Sequence, residues 1–173
     1  MKFLGYARPD GSVGIRNYVL VIAVTRAVHI LAAKISEHVN GTKVFVAGDE
    51  DGKSSRDRDT LSRVFIGLGC NANTASVLIV CNKRDAGYEQ LKAVHIAEMI
   101  GRTGKTVEVL AVDEHGGYYQ SLGEGIKIAR RLVREASAIM RTEADIGKLV
   151  IGVKCGLSDA TSGISGNPVA GRM

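Results

Sequence analysis

Tryptophan is absent from this chain of 173 residues, proline occurs twice, and aromatic residues make up only 5%. No aromatic residues are interleaved with basic ones, so the stacking platforms on which single-stranded nucleic acids lie are missing. With only Pro9 and Pro168, no Pro-rich linker divides the sequence, and there is no internal repeat or low-complexity tract. Apolar runs such as Val19 to Val24 and Ser76 to Cys81 are far shorter than the roughly 20 residues a membrane span needs, and the start of the chain lacks a signal-like apolar stretch. A cytoplasmic protein with no membrane partner is the default expectation. Cys70, Cys81 and Cys155 form an odd set without Cys-x-x-Cys spacing, which argues against a disulfide framework and against a closed structural zinc site. Cys81 ends an apolar run and reads as a small buried hydrophobe, whereas Cys155 stands among polar loop residues and reads as a ligand or a reactive group.

What is present suits a globular domain. Hydrophobic residues account for 45% of the chain, enough for a sizeable core, and the formal net charge is +5. That charge attracts anions, and sugar acids or other small carboxylates are as natural a partner as nucleic acid. Lys127, Arg130, Arg131, Arg134 and Arg141 form a basic run, but Glu124 and Glu135 sit among them, and a solvated helix face is the simpler reading. Nucleic-acid binding is a minor alternative.

Five short apolar, β-branched runs alternate with segments of helical period. Strands are expected at Tyr18 to Val24, Thr42 to Ala47, Ser76 to Cys81, Thr106 to Val112 and Leu149 to Val153, and their near-continuous apolarity implies burial on both faces. Val28, Leu31, Ala32, Ile35 and Val39 recur at helical spacing, as do Leu61, Val64, Phe65 and Leu68 after a Ser54–Asp57 capping pair. Ala93, Ile96, Ala97 and Ile100 make a third stripe, and Leu122 to Met140 carry a long fourth one. The expected fold is α/β, a three-layer, doubly wound, mostly parallel five-stranded sheet of Rossmann-like type. Residues 1–173 read as a single domain, with 1–17 as an N-terminal arm and 154–173 as a loop beyond the last strand. The polar segment Gly48 to Asp59 reads as a lid or a solvated surface loop.

The densest chemistry lies in that last loop, Lys154-Cys155-Gly156-Leu157-Ser158-Asp159-Ala160-Thr161-Ser162-Gly163-Ile164-Ser165-Gly166-Asn167-Pro168. Amine, thiol, carboxylate, hydroxyl and amide groups fall among glycines that let a ligand approach the backbone, and the expected position is the carboxyl edge of a sheet, where α/β proteins place ligands. Lys154 can neutralise a carboxylate or a developing enolate, Cys155 can bind a metal, and Ser158, Asp159, Ser162 and Asn167 can hold hydroxyls. These groups suit elimination of water from a hydroxy acid, which needs a base, charge stabilisation and help for the leaving hydroxide. His115, in Asp113-Glu114-His115-Gly116-Gly117, is the histidine best placed for acid–base work. Arg8 and Arg16 flank an Asp10-Gly11 turn in the arm and can clamp a carboxylate, although pairing with a local carboxylate such as Asp10 is the blander alternative.

Gly-Tyr-x-Arg-x-Asp-Gly-x-Val-Gly-x-Arg-Asn-Tyr at 5–18, Glu114-His115-Gly116-Gly117, and Lys-Cys-Gly-x-Ser-Asp-x-x-Ser-Gly-x-x-x-Asn-Pro at 154–168 together resemble the altronate/galactarate dehydratase family, which includes the large subunit of sulfolactate sulfo-lyase. The resemblance implies a carbon–oxygen lyase of sugar-acid metabolism; with it, the residues read as catalytic Lys154, Asp159 and His115, the last standing where the family has Thr, as substrate-binding Ser158, Ser162, Asn167 and Arg16, and as a metal ligand, Cys155. It implies a divalent metal, iron or manganese, and a continuation into a further domain, so that a C-terminal partner subunit or a missing domain completes the catalyst within a homo- or hetero-oligomer. Three of the family's Cys- or His-bearing elements are replaced here, by Arg26-Ala27-Val28, by Gly48-Asp49-Glu50-Asp51-Gly52 and by Cys81-Asn82-Lys83. The alternative expectation is a non-catalytic homologue that binds a small acid or scaffolds an assembly.

Overall fold

Along the chain, β1 (Lys2–Ala7) and β2 (Val13–Gly14) are followed by an alternation of β3 (Tyr18–Ala23), α1 (His29–His38), β4 (Thr42–Val46), α2 (Ser55–Cys70), β5 (Thr74–Cys81), α3 (Ala93–Gly101), β6 (Thr106–Ala111) and α4 (Tyr118–Ser137). β7 (Thr142–Asp145) and α5 (Asn167–Arg172) complete the order. The structure is a computed structural model that describes residues 1–47, 54–84, 87–154, 156 and 159–172.

β4, β3, β5 and β6 pair in that order into a four-stranded parallel sheet. Alternation along the strands sends Val19, Val21, Leu78 and Val80 to one face, where they pack with Leu31, Ile35, Ala129 and Leu132 of α1 and α4. Leu20, Ile22, Val77 and Ile79 go to the other, against Phe65, Ile96 and Ile100 of α2 and α3. Cover on both faces explains the uninterrupted apolarity of the inner strands β3 and β5. Cys81 is buried as expected, its thiol donating to the Leu110 carbonyl at 3.7 Å. The Ser54–Asp57 capping box also forms and starts α2. Of the Gly48 to Asp59 segment, residues 48–53 lie outside the described residues.

The fifth strand does not form. Leu149 to Val153 makes no strand, and Val150, Ile151 and Val153 are 91%, 76% and 77% exposed. Beyond α4 the chain instead enters β7, which pairs antiparallel with β1, from Lys2 opposite Asp145 to Gly5 opposite Thr142. β1 also pairs antiparallel with β2, so a separate three-stranded sheet of order β2-β1-β7 stands beside the parallel one. The Asp10–Gly11 turn closes this hairpin, with Gly11 at φ +80° and the Asp10 carboxylate accepting from the Ser12 amide at 2.9 Å and hydroxyl at 2.6 Å.

The hairpin is seated on the turn between α2 and β5, at the amino-terminal edge of the parallel strands. Arg8, only 6% exposed, donates from Nε to the Ala72 carbonyl at 2.7 Å and from a terminal nitrogen to the Arg16 carbonyl at 3.1 Å. Asn73 Oδ1 accepts from the Ile15 and Arg16 amides, both at 2.9 Å. Gly14 approaches so closely that a Cβ there would collide with the Ala72 carbonyl. Lys105, also 6% exposed, donates to the carbonyls of Gly69 at 3.0 Å and Asn71 at 2.7 Å. Two cations thus lie on the carbonyl-rich end of α2, where the helix dipole favours positive charge.

Burial and the neighbouring Arg8 push the Lys105 ammonium down from 10.5 to about 8. Between those values the unfolded chain holds a proton that the folded one has released, so this group's contribution to stability rises with pH across that window and is lost as pH falls through the lower value. Urea unfolding compared with Lys105→Met should show the native chain gaining up to about 3 kcal/mol relative to the variant over that range. A difference that stays flat with pH would show that the ammonium is solvated in the fold.

Candidate functional site

Functional side chains named from the sequence fall at two opposite edges of the sheet and in the tail. Arg16 and Tyr18 flank the entry to β3, at the amino edge, while His115 follows β6 at the carboxyl edge. Strands of six residues separate these edges by roughly 20 Å.

At the amino edge Tyr6, Arg16, Asn17, Tyr18, Gly41, Ala136, Ser137, Ile139 and Arg141 line a cleft of about 240 Å³. Asn17 donates from Nδ2 to the Ala136 carbonyl near the end of α4 at 2.6 Å, which fixes this wall. The Arg141 guanidinium lies 5.0 Å from the centre of the Tyr6 ring, and the Lys43 ammonium 5.2 Å from that of Tyr18. Asp10 is engaged by Ser12, so it does not take Arg16 as an ion-pair partner. Arg141 was expected on a solvated helix face, but it lies beyond the end of α4 and turns to the hairpin, donating to the Ile15 carbonyl at 3.3 Å. Nothing in its own sequence neighbourhood signals that contact, which joins residues 126 positions apart.

At the carboxyl edge His115 is half-buried after a short 3-10 turn, Val112–Glu114, and its amide donates to the Val112 carbonyl. Gly116 and Gly117, at φ +72° and +107°, make the turn into α4 that a residue with a Cβ would strain. Arg84 grips Glu114 with two parallel hydrogen bonds of 2.6 and 2.8 Å. That grip holds the Glu114 carboxyl below the usual carboxylate range, so Glu114 is an ion-pair anchor beside His115.

The tail leaves from the amino edge. Lys148, Leu149, Val150 and Gly152 line a second cleft, of about 350 Å³, with Ser12, Val13, Ile15 and Asn71 to Asn73. Lys154 is exposed, and Cys155 and Ser158 lie outside the described residues. Asp159 is exposed and accepts from the Thr161 hydroxyl at 2.6 Å and the Thr161 and Ser162 amides at 2.7 and 3.1 Å. These bonds lower its carboxyl pKa and make it the cap of its own turn. Ser162 returns the contact, its hydroxyl accepting from the Asp159 amide at 3.1 Å, and Asn167 opens α5 in solvent. Structure therefore unites Asp159 with Ser162, places the start of the tail, Lys148 to Val150 and Gly152, on the same edge as Arg16, and leaves His115 on the other.

Among the described residues no group of three or more His, Cys, Asp or Glu side chains is arranged to hold a metal ion. Cys70 is half-buried with its thiol pushed up by burial, and Cys81 is enclosed in the core. The described donors do not fit a divalent metal centre. Nor is any described helix long and apolar enough to cross a membrane.

Residues 5–137 match the family described as D-galactarate dehydratase/Altronate hydrolase, second domain, and residues 146–173 match D-galactarate/Altronate dehydratase, C-terminal. The chain is 33% identical to (2R)-sulfolactate sulfo-lyase subunit beta of Chromohalobacter salexigens over 98% of its own length and 42% of that protein's. It is 25% identical to Altronate dehydratase of Bacillus subtilis over 99% of its length and 35% of the relative's. Galactarate dehydratase (L-threo-forming) of Escherichia coli is 26% identical over 62% of this chain and 18% of its own. The chain thus spans less than half the length of these relatives. No solved structure matches.

The tail's turn is testable by itself. Asp159→Ala should lower the hydrogen-exchange protection of the Thr161 and Ser162 amides. In the unsubstituted chain the same protection should persist through neutral pH and fall only when acid protonates the depressed carboxyl, because the bonds depend on its ionised form. Protection indifferent to both changes would remove Asp159 from the turn.

Proposed function

The chain belongs to the D-galactarate dehydratase/altronate hydrolase family, and from that premise we propose that it is a module of a hydro-lyase acting on a sugar acid or a related hydroxy carboxylate. What supports this reading is the 5–18 hairpin at the amino edge together with the approach to the second motif, since Lys148 to Val150 and Gly152 line a cleft there with Ser12, Val13 and Ile15.

In this proposal Lys154 supplies positive charge to the substrate carboxylate and to the enolate that forms as a base takes the neighbouring proton, and the base and the acid that protonates the leaving hydroxide are assigned to the domain that completes the catalyst. Asp159 and Ser162 shape the turn that presents Asn167 and, with Ser158, offer hydroxyl-binding groups, while Arg16 binds substrate from the hairpin side. His115 is a separate acid–base proposal, since it acts at the other edge. Val150, Ile151 and Val153 are too exposed to be at rest in water, and we assign the segment from residue 146 onward to a further domain, where the Leu149 to Val153 run finds apolar cover. The completed catalyst then needs that domain, on this polypeptide or on a partner subunit. Divalent iron or manganese, if used, takes its ligands from Cys155 and from that domain, because the described residues do not supply them.

The test is formation of a keto acid from altronate or galactarate, and sulfite release from sulfolactate, by the chain alone and mixed with a polypeptide carrying the family's C-terminal domain, with iron or manganese added. Turnover is expected in at least one mixture, and Lys154→Ala should lower kcat/KM by about 100-fold or more with the helix signal in circular dichroism unchanged. Absence of turnover in every mixture overturns the lyase reading. A sugar acid that binds without turning over would assign the chain to a non-catalytic, acid-binding role instead.

A further inference from the structure

A strand at the edge of a sheet has one side unpaired, and an unguarded edge is a template for another chain. Of the four edges among the described strands, three are guarded. β7 carries Glu143 and Asp145, β2 is two residues long, and β6 holds Glu108 in an ion pair with Arg131. β4, the remaining edge, reads Thr42-Lys43-Val44-Phe45-Val46, with no proline, acid or bulge, and Lys43, Val44 and Val46 are exposed. Its backbone has a definite sense. The Val19 amide donates to the Gly41 carbonyl at 3.1 Å, and the regular parallel register that follows turns the amides and carbonyls of Lys43 and Phe45 toward β3. Those of Val44 and Val46 therefore point outward, where they make no hydrogen bond among the described residues. Over this edge α1 presents Ser36, whose hydroxyl meets that of Thr42 at 2.8 Å, and Ala33 one turn earlier, both small.

We propose that β4 is a homodimer edge, pairing antiparallel with β4 of a second copy about a two-fold axis through Val44. In that register Val44 lies opposite its own symmetry mate, Val46 opposite Thr42, and Lys43 opposite Phe45. Val44 exchanges both of its hydrogen bonds with its mate, through the backbone groups that a single copy leaves open. The pairing is complementary in charge as well. The strand's one charge, Lys43, faces a phenyl ring and leans over Tyr18 of its own chain, 5.2 Å from the ring centre, so no two like charges meet. The same operation about the middle residues of β7 sets Glu143 against itself or against Asp145, which is repulsive. Self-complementarity is what selects a second copy as the occupant, and the two four-stranded sheets join into a single continuous one. The inference does not rest on the lyase reading.

Sedimentation equilibrium and hydrogen exchange of the full chain test it together. The native chain should form a concentration-dependent dimer, and its Val44 and Val46 amides should be protected in the dimer and lose that protection on dilution. Val44→Asp and Val44→Lys each set like charges opposite each other across the axis, and each should weaken dimerisation at least tenfold with the helix signal in circular dichroism unchanged. Their equimolar mixture should restore the dimer, because opposite charges then face each other, an outcome that misfolding of either variant does not produce. The exposed run that includes Ile151 offers a competing route to association, and Ile151→Asp should leave the dimer intact. A native chain that is monomeric at every concentration overturns the edge, as does a dimer that both Val44 variants keep. Freely exchanging Val44 and Val46 amides within a dimer that Ile151→Asp abolishes would assign the association to the tail and overturn the edge equally. A mixture of the two charged variants that stays monomeric overturns the axis through Val44.

Discussion

Two buried cations resting on the carbonyl end of one helix hold this architecture in register. Lys105 and Arg8 arrive from distant parts of the chain, one at the threshold of β6 and one in the hairpin, and donate to the carbonyls of Gly69, Asn71 and Ala72 at and just beyond the end of α2. Each ammonium or guanidinium loses hydration on burial, and the helix dipole offsets part of that cost. Because the same turn carries Asn73, whose side chain gathers the Ile15 and Arg16 amides, the hairpin has one position available to it. The path of residues 14–18, and with it every wall of the cleft that they provide, follows from this seat.

That placement departs from the usual habit of open α/β sheets, which collect ligands where strands end. Here the carboxyl edge carries a tight ion pair beside the half-buried His115, whereas the amino edge combines guanidinium groups with no ion pair among the described residues, aromatic walls and the start of the tail. The added hairpin makes the difference. It walls an edge that the parallel sheet alone would leave as bare strand starts, and it brings charge where helix ends expose carbonyl oxygens.

Much of the layered core was legible in the sequence because burial leaves a periodic trace. The stripe from Val28 to Val39 and the runs in β3 and β5 are buried as their spacing requires. Leu149 to Val153 shows where the trace misleads: apolar, β-branched composition reports that a segment needs cover, and says nothing about which surface provides it. β1 and β7 escaped notice for the complementary reason, since strands with exposed positions such as Leu4, Lys2 and Glu143 write only a weak alternation. The motif hairpin could be read locally, through Asp10-Gly11 and the two arginines. The cleft could not, because it joins residues 6–18 to Gly41 and to residues 136–141, and Arg141 looks like any other basic residue after a basic helix.

The pairing of β1 with β7 also sets a sequence of events. Lys2 lies opposite Asp145, so β1 waits for the distant β7 before the small sheet can close. The four parallel strands depend on no such distant encounter and can assemble while the N-terminal arm is still unattached, since loop closure over nearly the whole chain is the slowest contact to gain. Arg141 meets the hairpin only at that final closure. A chain that has not yet closed this pairing therefore holds its layered core without the contact between Arg141 and the hairpin.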